Sequence, residues 1–214
     1  MEIPLKQRTI HLRTPLTEAD VRNLQLGDHV HLSGPFFTGR SKFHIRAVEE
    51  GKPHPIDYAT ANVLMHIGPV FKRENEQWIP VGLDQTSSFR FEKWEPELIR
   101  RLRLRGIIGK TTMGLRTMEM MRDVGCVHLT RVGVPGNLLA KRIRSVIGVY
   151  GLEEFGMTEA TWVLEADNLG PFIVDIDSQG QNLFHCLKEG VALKMKALYQ
   201  RFGIPEDFKY SQDA

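Results

Sequence analysis

Apolar and polar residues alternate in the first part of the chain. The alternation runs through residues 3–13 and again through residues 30–33, and it is typical of half-buried strands. Gly34 and Pro35 follow the second of these segments. Because proline cannot donate to a ladder and glycine permits a sharp turn, the pattern predicts that the second strand ends there.

The spacing of apolar residues becomes helical after Thr38. Phe43 and Ala47 are four residues apart, as are Arg40 and His44, so each pair shares one helix face. Thr38 is the predicted N-cap. A cation and an imidazole at a strand–loop–helix junction predict a site for an acidic small molecule, because free N–H groups are available there. The residues alone also fit, and composition favours, a capped helix with a surface arginine and a half-buried histidine.

Hydroxyl residues are concentrated in a second segment, between a predicted strand and a predicted helix. Thr86, Ser87 and Ser88 precede Arg90. Such residues commonly make turn and capping bonds in loops, and with an arginine beside them they are also suited to orienting carboxylates. Both interpretations remain open from the residues alone.

A third segment, residues 106–114, predicts a short buried strand, a tight loop and a helix. Its Gly-Lys-Thr sequence suggests a phosphate loop, but a Walker A motif needs a glycine five residues before Gly109, where the chain has Leu104. The nucleotide interpretation is therefore excluded. Lys110 still stands beside a predicted helix N-terminus, where charge and backbone N–H groups favour an anion.

Further elements follow from the periodicity of the remaining chain. Methionines at helical spacing after Lys110 predict a core helix. The other predicted elements are a helix from Pro96, an amphipathic helix over 138–146, strands over 162–164 and 172–176, a terminal helix over 187–202 and a loose tail over 204–214.

Composition and charge describe an ordinary globular protein. The chain has 214 residues, a hydrophobic content of 42% and a formal net charge of +2, which together predict a single domain. The near balance of charge argues against nucleic acid as the main partner. Four arginines within residues 100–105 are interpreted as a solvated helix face or, alternatively, as a surface for an acidic partner.

The two cysteines, Cys126 and Cys186, lie far apart and outside any paired motif. Two thiols cannot complete a zinc or iron–sulfur site by themselves, so no metal site is predicted on this chain. Free thiols are expected in a reducing compartment. With no apolar leader or membrane-length apolar segment in the sequence, the predicted location is the cytoplasm.

The motifs together resemble the class I fumarate hydratase/L-tartrate dehydratase family, in its C-terminal domain or separate β subunit, over roughly residues 14–190. The family's Leu-Ser-Gly, Thr-(Ala/Gly)-Arg and His pattern is matched by Leu32-Ser33-Gly34, Thr38-Gly39-Arg40 and His44. Its Gly-Pro-Thr-Thr-Ser-x-Arg-Met resembles residues 85–91, its Gly-Lys-Gly-Gly-Met resembles 109–113, and its final block resembles Trp162 and 176–183.

This resemblance implies an α/β fold, a swivelling β/β/α domain with mixed sheets flanked by helices. It implies a hydro-lyase acting on a hydroxy di- or tricarboxylate of the fumarate, malate or tartrate type. A cysteine-bearing α subunit would carry a [4Fe–4S] cluster with an open iron, and the present chain would carry none. Homodimerisation stays open, and the alternative function is a non-catalytic carboxylate-binding or regulatory domain of the same fold.

The resemblance also assigns roles to individual residues. Arg40, Arg90 and Lys110 would grip substrate carboxylates, and Thr86 matches the threonine assigned to proton abstraction at carbon. The complete implied site comprises catalytic Thr86, Lys110 and His44, with Arg40, Arg90, Ser87, Ser33 and Gly34 as substrate-binding residues.

Several motif positions depart from the family pattern. The family's Asp after Arg is Ser41, its Pro before Thr is Gln85, and its Gly-Gly is Thr111-Thr112. These changes alter the hydrogen bonding and shape of the pocket. They predict a preferred substrate other than fumarate, malate or L-tartrate.

Overall fold

The computed structural model describes residues 8–131, 133–205 and 207–208. Residues 3–7 of the first predicted strand and most of the predicted loose tail lie outside this part of the chain. Within it, the strands are β1 (Thr9–Arg13), β2 (His29–Gly39), β3 (Val63–His66), β4 (Val70–Glu74), β5 (Gln77–Gly82), β6 (Gly106–Gly109), β7 (Val127–Arg131), β8 (Ile143–Tyr150) and β9 (Thr161–Ile176). The helices are α1 (Glu18–Arg22), α2 (Ser41–His44), α3 (Glu95–Leu102), α4 (Leu115–Val124), α5 (Gly136–Ala140), α6 (Leu152–Phe155) and α7 (Leu183–Phe202).

Five strands close into a barrel-like ring. β2, β3, β6 and β7 lie side by side in parallel, and β9 runs antiparallel between β7 and β2. β1 extends the ring at β2, β8 extends it at β9, and β4 and β5 form a separate hairpin. The predicted α/β class with a mixed sheet and flanking helices is confirmed.

Successive residues of the central strands enter two hydrophobic clusters on opposite sides of the sheet. Leu64 and Ile107 pack in the cluster that includes residues of α3 and α4, whereas their neighbours Met65 and Ile108 pack in the other. Both faces of these strands are therefore buried, which is usual for parallel strands. Met118 belongs to the cluster with α3 and α4, as predicted for the core helix.

The strand that begins at His29 does not end at Gly34 and Pro35, so that prediction is wrong. β2 continues to Gly39 and pairs with β9 on both sides of an irregularity near Gly34. On its other edge, β1 reaches Ser33 and β3 begins opposite Phe37. Pro35 therefore lies in the gap between two partner strands, where a missing N–H group is tolerated.

The amphipathic helix predicted over 138–146 is also wrong. α5 ends at Ala140, and β8 begins at Ile143 and pairs along the length of β9. The segment is rich in β-branched residues, which suit a pleated sheet surface. The two late strands predicted separately are one strand, β9, because β2 and β8 both pair with it.

α7 is the longest helix and is largely exposed. It begins four residues before the predicted start, where the Asn182 side chain accepts from the amides of Phe184 and His185. No helix among the described residues combines the length and the apolar character needed to span a membrane.

Candidate functional site

Arg40 and Lys110, two of the predicted site residues, are carried by one edge of the barrel. Arg40 directly follows β2 and Lys110 directly follows β6. Between them lies β3, which pairs Gly39 with His66 on one side and Met65 with Ile108 on the other. Because parallel strands end at the same edge of a sheet, Arg40 and Lys110 emerge on the same side, where α/β proteins commonly bind ligands.

Arg40 leads into α2 and is held beside Glu159. Its Nε lies 3.4 Å from Oε1 of Glu159, while Oε2 of Glu159 accepts from the amide of Lys42 at 3.0 Å. A Cβ on Gly68 would come within 2.7 Å of the Arg40 guanidinium, so the bare glycine leaves room for that side chain. The first turn of α2 is therefore already bonded to a carboxylate of the protein.

The predicted N-cap of α2, Thr38, is wrong. Thr38 is a fully buried residue of β2, and its hydroxyl accepts from the amide of Trp162 at 3.0 Å. Arg40 occupies the N-cap position and makes no side-chain capping bond.

The loop that carries Thr86, Ser87 and Ser88, called the hydroxyl loop below, is joined to Lys110 through backbone hydrogen bonds. The amide of Lys110 donates to the carbonyl of Thr86 at 3.3 Å, and the amide of Ser88 donates to the carbonyl of Lys110 at 3.0 Å. Ser87 Oγ lies 2.9 Å from Thr111 Oγ1. The amide of Thr86 also donates to the carbonyl of His66 at 2.7 Å, which places this loop across the ends of β3 and β6.

Two cations on this edge are unneutralised. Arg90 and Lys110 are exposed, and among the described residues neither has a carboxylate within 4.0 Å. Arg100 and Arg101 differ, since both pair with Glu97. Arg90 and Lys110 are therefore available to an anion, whereas Arg100 and Arg101 are already paired with a carboxylate of the protein.

The helix N-terminus beside Lys110 is not available to an anion. Both oxygens of Glu92 occupy it, accepting from the amides of Gly114 at 2.7 Å and Thr117 at 3.2 Å. The Thr117 hydroxyl also donates to Glu92 at 2.7 Å. The expectation that this helix start binds an external anion is therefore wrong, because a carboxylate of the protein already caps it.

His44 is fully buried rather than half-buried. Its Nδ1 donates to the carbonyl of Arg40 at 2.7 Å, and its Nε2 lies 2.9 Å from Oε2 of Glu95. The ring stacks on Phe91 at a centroid distance of 4.4 Å. His44 thus bonds to the backbone of Arg40 from the protein interior.

Sequence reasoning missed a chain of buried polar residues behind the loop. His66 lies between Glu95 and Ser88, at 3.1 Å from Oε2 and 3.0 Å from Oγ. Ser88 Oγ lies 2.8 Å from Nε2 of His128, whose Nδ1 lies 2.5 Å from Oδ1 of Asp175. These residues come from five separate elements and stand mostly in apolar segments, so the only local signal was an isolated polar residue in each.

Burial affects the charge of this chain of residues. It is the main reason that the pKa of His66 falls to about 4. Burial alone raises the pKa of Glu95, but the charges and hydrogen bonds of His66 and His44 outweigh it, so the pKa of Glu95 lies below its usual range. His66 is therefore held neutral and Glu95 ionised near pH 7.

Ser33 and Gly34 lie elsewhere on β2. Gly34 precedes Arg40 by six residues, about 20 Å along an extended strand. Ser33 Oγ accepts from the amide of Asn168, and a Cβ on Gly34 would lie 2.5 Å from Thr14 Oγ1. The structure therefore does not bring these two residues to the edge that carries Arg40 and Lys110.

The residues of this chain do not fit a [4Fe–4S] cluster. Cluster ligands are thiolates, and burial raises the pKa of Cys126, which keeps it a thiol. Cys186 is half-buried near the start of α7, and both cysteines are free.

Comparison with known protein families gives a match over most of the chain. The profile of the family described as "Fumarase C-terminus" matches residues 2–187. The predicted family resemblance is therefore confirmed.

Individual relatives agree with this match. A protein of Methanocaldococcus jannaschii named L(+)-tartrate dehydratase subunit beta is 35% identical over 186 residues, which are 86% of this chain and 95% of the relative. L(+)-tartrate dehydratase subunit beta of Escherichia coli K12 is 31% identical over 172 residues, 80% and 85% of the two chains. A protein of Geobacillus stearothermophilus named as a class I fumarate hydratase is 30% identical over 191 residues, 89% of this chain and 36% of that longer protein. These relatives are named as hydro-lyases.

Proposed function

Because the chain belongs to the fumarase C-terminal family, we propose that it is the β subunit of an iron–sulfur hydro-lyase. Its substrate is a hydroxy di- or tricarboxylate of the fumarate, malate or tartrate type. This chain supplies the groups that hold the carboxylates, and a cysteine-bearing α subunit supplies the cluster.

The observation that carries this proposal is the set of cations at one barrel edge. Arg90 and Lys110 are exposed without acidic partners among the described residues, and Arg40 emerges from the neighbouring strand. A dicarboxylate needs two cationic positions, and arginine is suited to bidentate contact with a carboxylate. Hydroxyls of Thr86 and Ser87 lie beside Lys110 for hydrogen bonds to a substrate hydroxyl.

Thr86 is the proposed acceptor of the proton lost from carbon. A free hydroxyl is a poor base, so its action needs neighbouring cations that stabilise the alkoxide form. Lys110 is bonded to Thr86 through the backbone, and its ammonium is the proposed source of this stabilisation. His44 is proposed as a positioning residue, because it reaches the site through the carbonyl of Arg40.

The proposed cofactor arrangement follows from the thiols. The cluster, when bound by the partner, supplies a Lewis acid for the substrate hydroxyl and carboxylate. The present chain closes over it as the swivelling domain of the assembly. Cys126 and Cys186 as free thiols agree with the cytoplasm as the proposed location.

α7 supports an assembly of more than one chain. Its exposed apolar residues repeat with spacings of three, four and four, so residues eleven apart occupy equivalent positions. An eleven-residue repeat keeps such a stripe nearly straight on a helix, and a stripe of this kind suits association with the α subunit or a second copy. The stripe comprises Phe184, Leu187, Val191, Met195, Leu198 and Phe202.

The proposed substrate differs from fumarate, malate and L-tartrate. Thr111 and Thr112 add side chains where the family keeps glycines, and their hydroxyls bond to Ser87 and Asn182. Ser41 removes a charge next to Arg40. A site built on hydrogen bonds rejects analogues that leave those bonds unmade.

The test is co-purification of the chain with its cysteine-bearing partner, anaerobic reconstitution, and comparison of kcat/KM across hydroxy acids. We expect activity of the complex only, with an acid other than malate or L-tartrate preferred. The isolated chain should bind no iron or sulfide and show no turnover. A stoichiometric cluster on the isolated chain would contradict the proposal that the α subunit carries the cluster. Carboxylate binding without turnover by the reconstituted complex favours the non-catalytic alternative.

A further inference from the structure

Two histidines and a glutamate converge behind the candidate site. Nε2 of His44 and Nε2 of His66 lie 2.9 and 3.1 Å from the same oxygen, Oε2 of Glu95. All three side chains are fully buried, and one donor atom of each lies within 4.8 Å of the others. Two imidazoles and a carboxylate suit zinc and related divalent ions. In a tetrahedral zinc site neighbouring donors are about 3.3 Å apart, so small shifts would admit an ion.

The second nitrogen of each imidazole is already bonded in the manner of a metal ligand. His44 Nδ1 lies 2.7 Å from the carbonyl oxygen of Arg40. A carbonyl only accepts, so Nδ1 carries the proton and a neutral His44 has its lone pair at Nε2. His66 Nδ1 lies 3.0 Å from Ser88 Oγ. Metal-bound histidines usually donate their other N–H to such a partner, which fixes the tautomer.

With a metal ion bound to His66 Nε2, the hydrogen bonds from His66 through Ser88 and His128 to Asp175 can all be donated in the same direction. His66 Nδ1–H donates to Ser88, the Ser88 hydroxyl donates to Nε2 of His128, and Nδ1–H of His128 donates to Asp175. Every donor in this series meets an acceptor.

Charge balance also favours a divalent ion. With Glu95 and Asp175 ionised, a dication makes the buried network neutral. Without it, each of the two contacts to Glu95 needs a proton between nitrogen and oxygen. One divalent ion therefore takes the place of two protons.

Glu95 offers a fourth donor. Its second oxygen, Oε1, is buried and has no hydrogen-bond partner. An unpartnered buried carboxylate oxygen is costly in a folded protein, and bidentate binding of a metal would use it. Two nitrogens and two oxygens of the protein then complete a four-coordinate set.

We propose that His44, His66 and Glu95 form a closed site for a divalent transition-metal ion of the zinc type. The ion ties α2, the end of β3 and the start of α3 together directly behind Arg40 and the hydroxyl loop. It leaves no open position for substrate, so its role is structural. The proposal stands apart from the hydro-lyase reaction and from the partner's cluster.

The test uses the full chain, unfolded with a chelator and refolded with or without zinc. We expect about one zinc per chain by elemental analysis after desalting, and a higher Tm for the zinc-loaded protein. Cobalt(II) in place of zinc should give the visible absorption of a four-coordinate ion. Titration in buffers of different ionisation enthalpy should report about two protons released per ion.

Matched variants distinguish this site from adventitious binding. Glu95→Gln and His66→Gln should abolish the cobalt absorption, and Ser88→Ala, which removes the partner of His66, should weaken zinc binding by about 10–100-fold. Glu97→Gln on the same helix and His11→Gln on the surface should have no effect. If the ligand variants fail to fold, the zinc affinity of Ser88→Ala relative to the wild type tests the site instead. Absence of bound zinc in the wild type, or cobalt absorption that persists in a folded ligand variant, overturns the proposal.

Discussion

The amide of Ser88 donates to the carbonyl oxygen of Lys110 at 3.0 Å. This bond holds the backbone of the loop that carries Thr86 and Ser87 against the end of β6. The hydroxyl residues and Lys110 therefore start from backbones in a fixed relative position, which favours orienting a substrate.

Removing either unpaired cation should reduce activity without affecting the fold. Arg90→Gln and Lys110→Met are each expected to lower kcat/KM of the reconstituted complex by about 10–100-fold, because a charge-assisted bond contributes about 1.5–3 kcal/mol. Neither side chain has a carboxylate partner among the described residues, so Tm should stay within about 2 °C of the wild type.

The control for this prediction is Arg13→Gln, an exposed arginine on β1 that pairs with Ser33, six residues before the end of β2. It should leave kcat/KM unchanged. Equal activity losses in all three variants would mean that general surface charge, rather than this edge, attracts the substrate.

The close approach of β6 to the hydroxyl loop should make Gly109 intolerant of any side chain. A Cβ there would lie 1.8 Å from Ser88 Oγ. Gly109→Ala should therefore destabilise the protein by about 1–3 kcal/mol or more, measured by urea unfolding. Gly106→Ala on the same strand is the control, because its Cβ would find its nearest neighbour at 3.4 Å. Similar destabilisation by both substitutions would show that the clash at Ser88 is not the cause.

Thr111 should be under backbone strain that glycine relieves. Its φ is +66°, a left-handed value that is unfavourable for a β-branched residue. Thr111→Gly should leave stability equal or raise it by up to about 1 kcal/mol, while the hydroxyl contact to Ser87 is lost. Relative kcat/KM should shift towards malate and L-tartrate, since the variant restores the family's glycine.

Thr112→Gly provides the comparison. Its φ is not positive and its hydroxyl accepts from Asn182 at 2.8 Å, so glycine there should destabilise by about 1 kcal/mol. If Thr111→Gly is as destabilising as Thr112→Gly, the bond to Ser87 outweighs the backbone strain.

His54 should make the fold sensitive to mild acid. It is packed against the rings of Phe43 and Tyr150, and burial is the main cause that lowers its pKa. The unfolded chain therefore binds this proton first, so stability is lost as the pH falls below about 6.5. In His54→Phe, the decrease in urea midpoint between pH 7.5 and 5.5 should be smaller than in the wild type. His185→Gln, at an exposed histidine, should keep the wild-type decrease.

Much of the architecture was determined by local sequence. Helical spacing of methionines predicted α4, and alternation predicted the end of β1 and the start of β2, because these patterns reflect which side of an element faces the core. The Gly-Lys motif placed Lys110 directly after a buried strand for the same reason. The motif residues at 32–44, 85–91, 109–113 and, with Trp162, 176–183 together predicted the family.

Only the tertiary structure decided where strands end and which polar residues meet. β2 continues past Pro35 because β1 stops and β3 starts on either side of it, a fact that no local pattern contains. β8 is a strand because β9 is long enough to pair with it. The buried series from His44 to Asp175 joins residues up to 131 positions apart, and each was an isolated polar residue until the barrel closed around it. Apolar periodicity reports burial along one element, whereas hydrogen bonds between elements depend on which strands become neighbours.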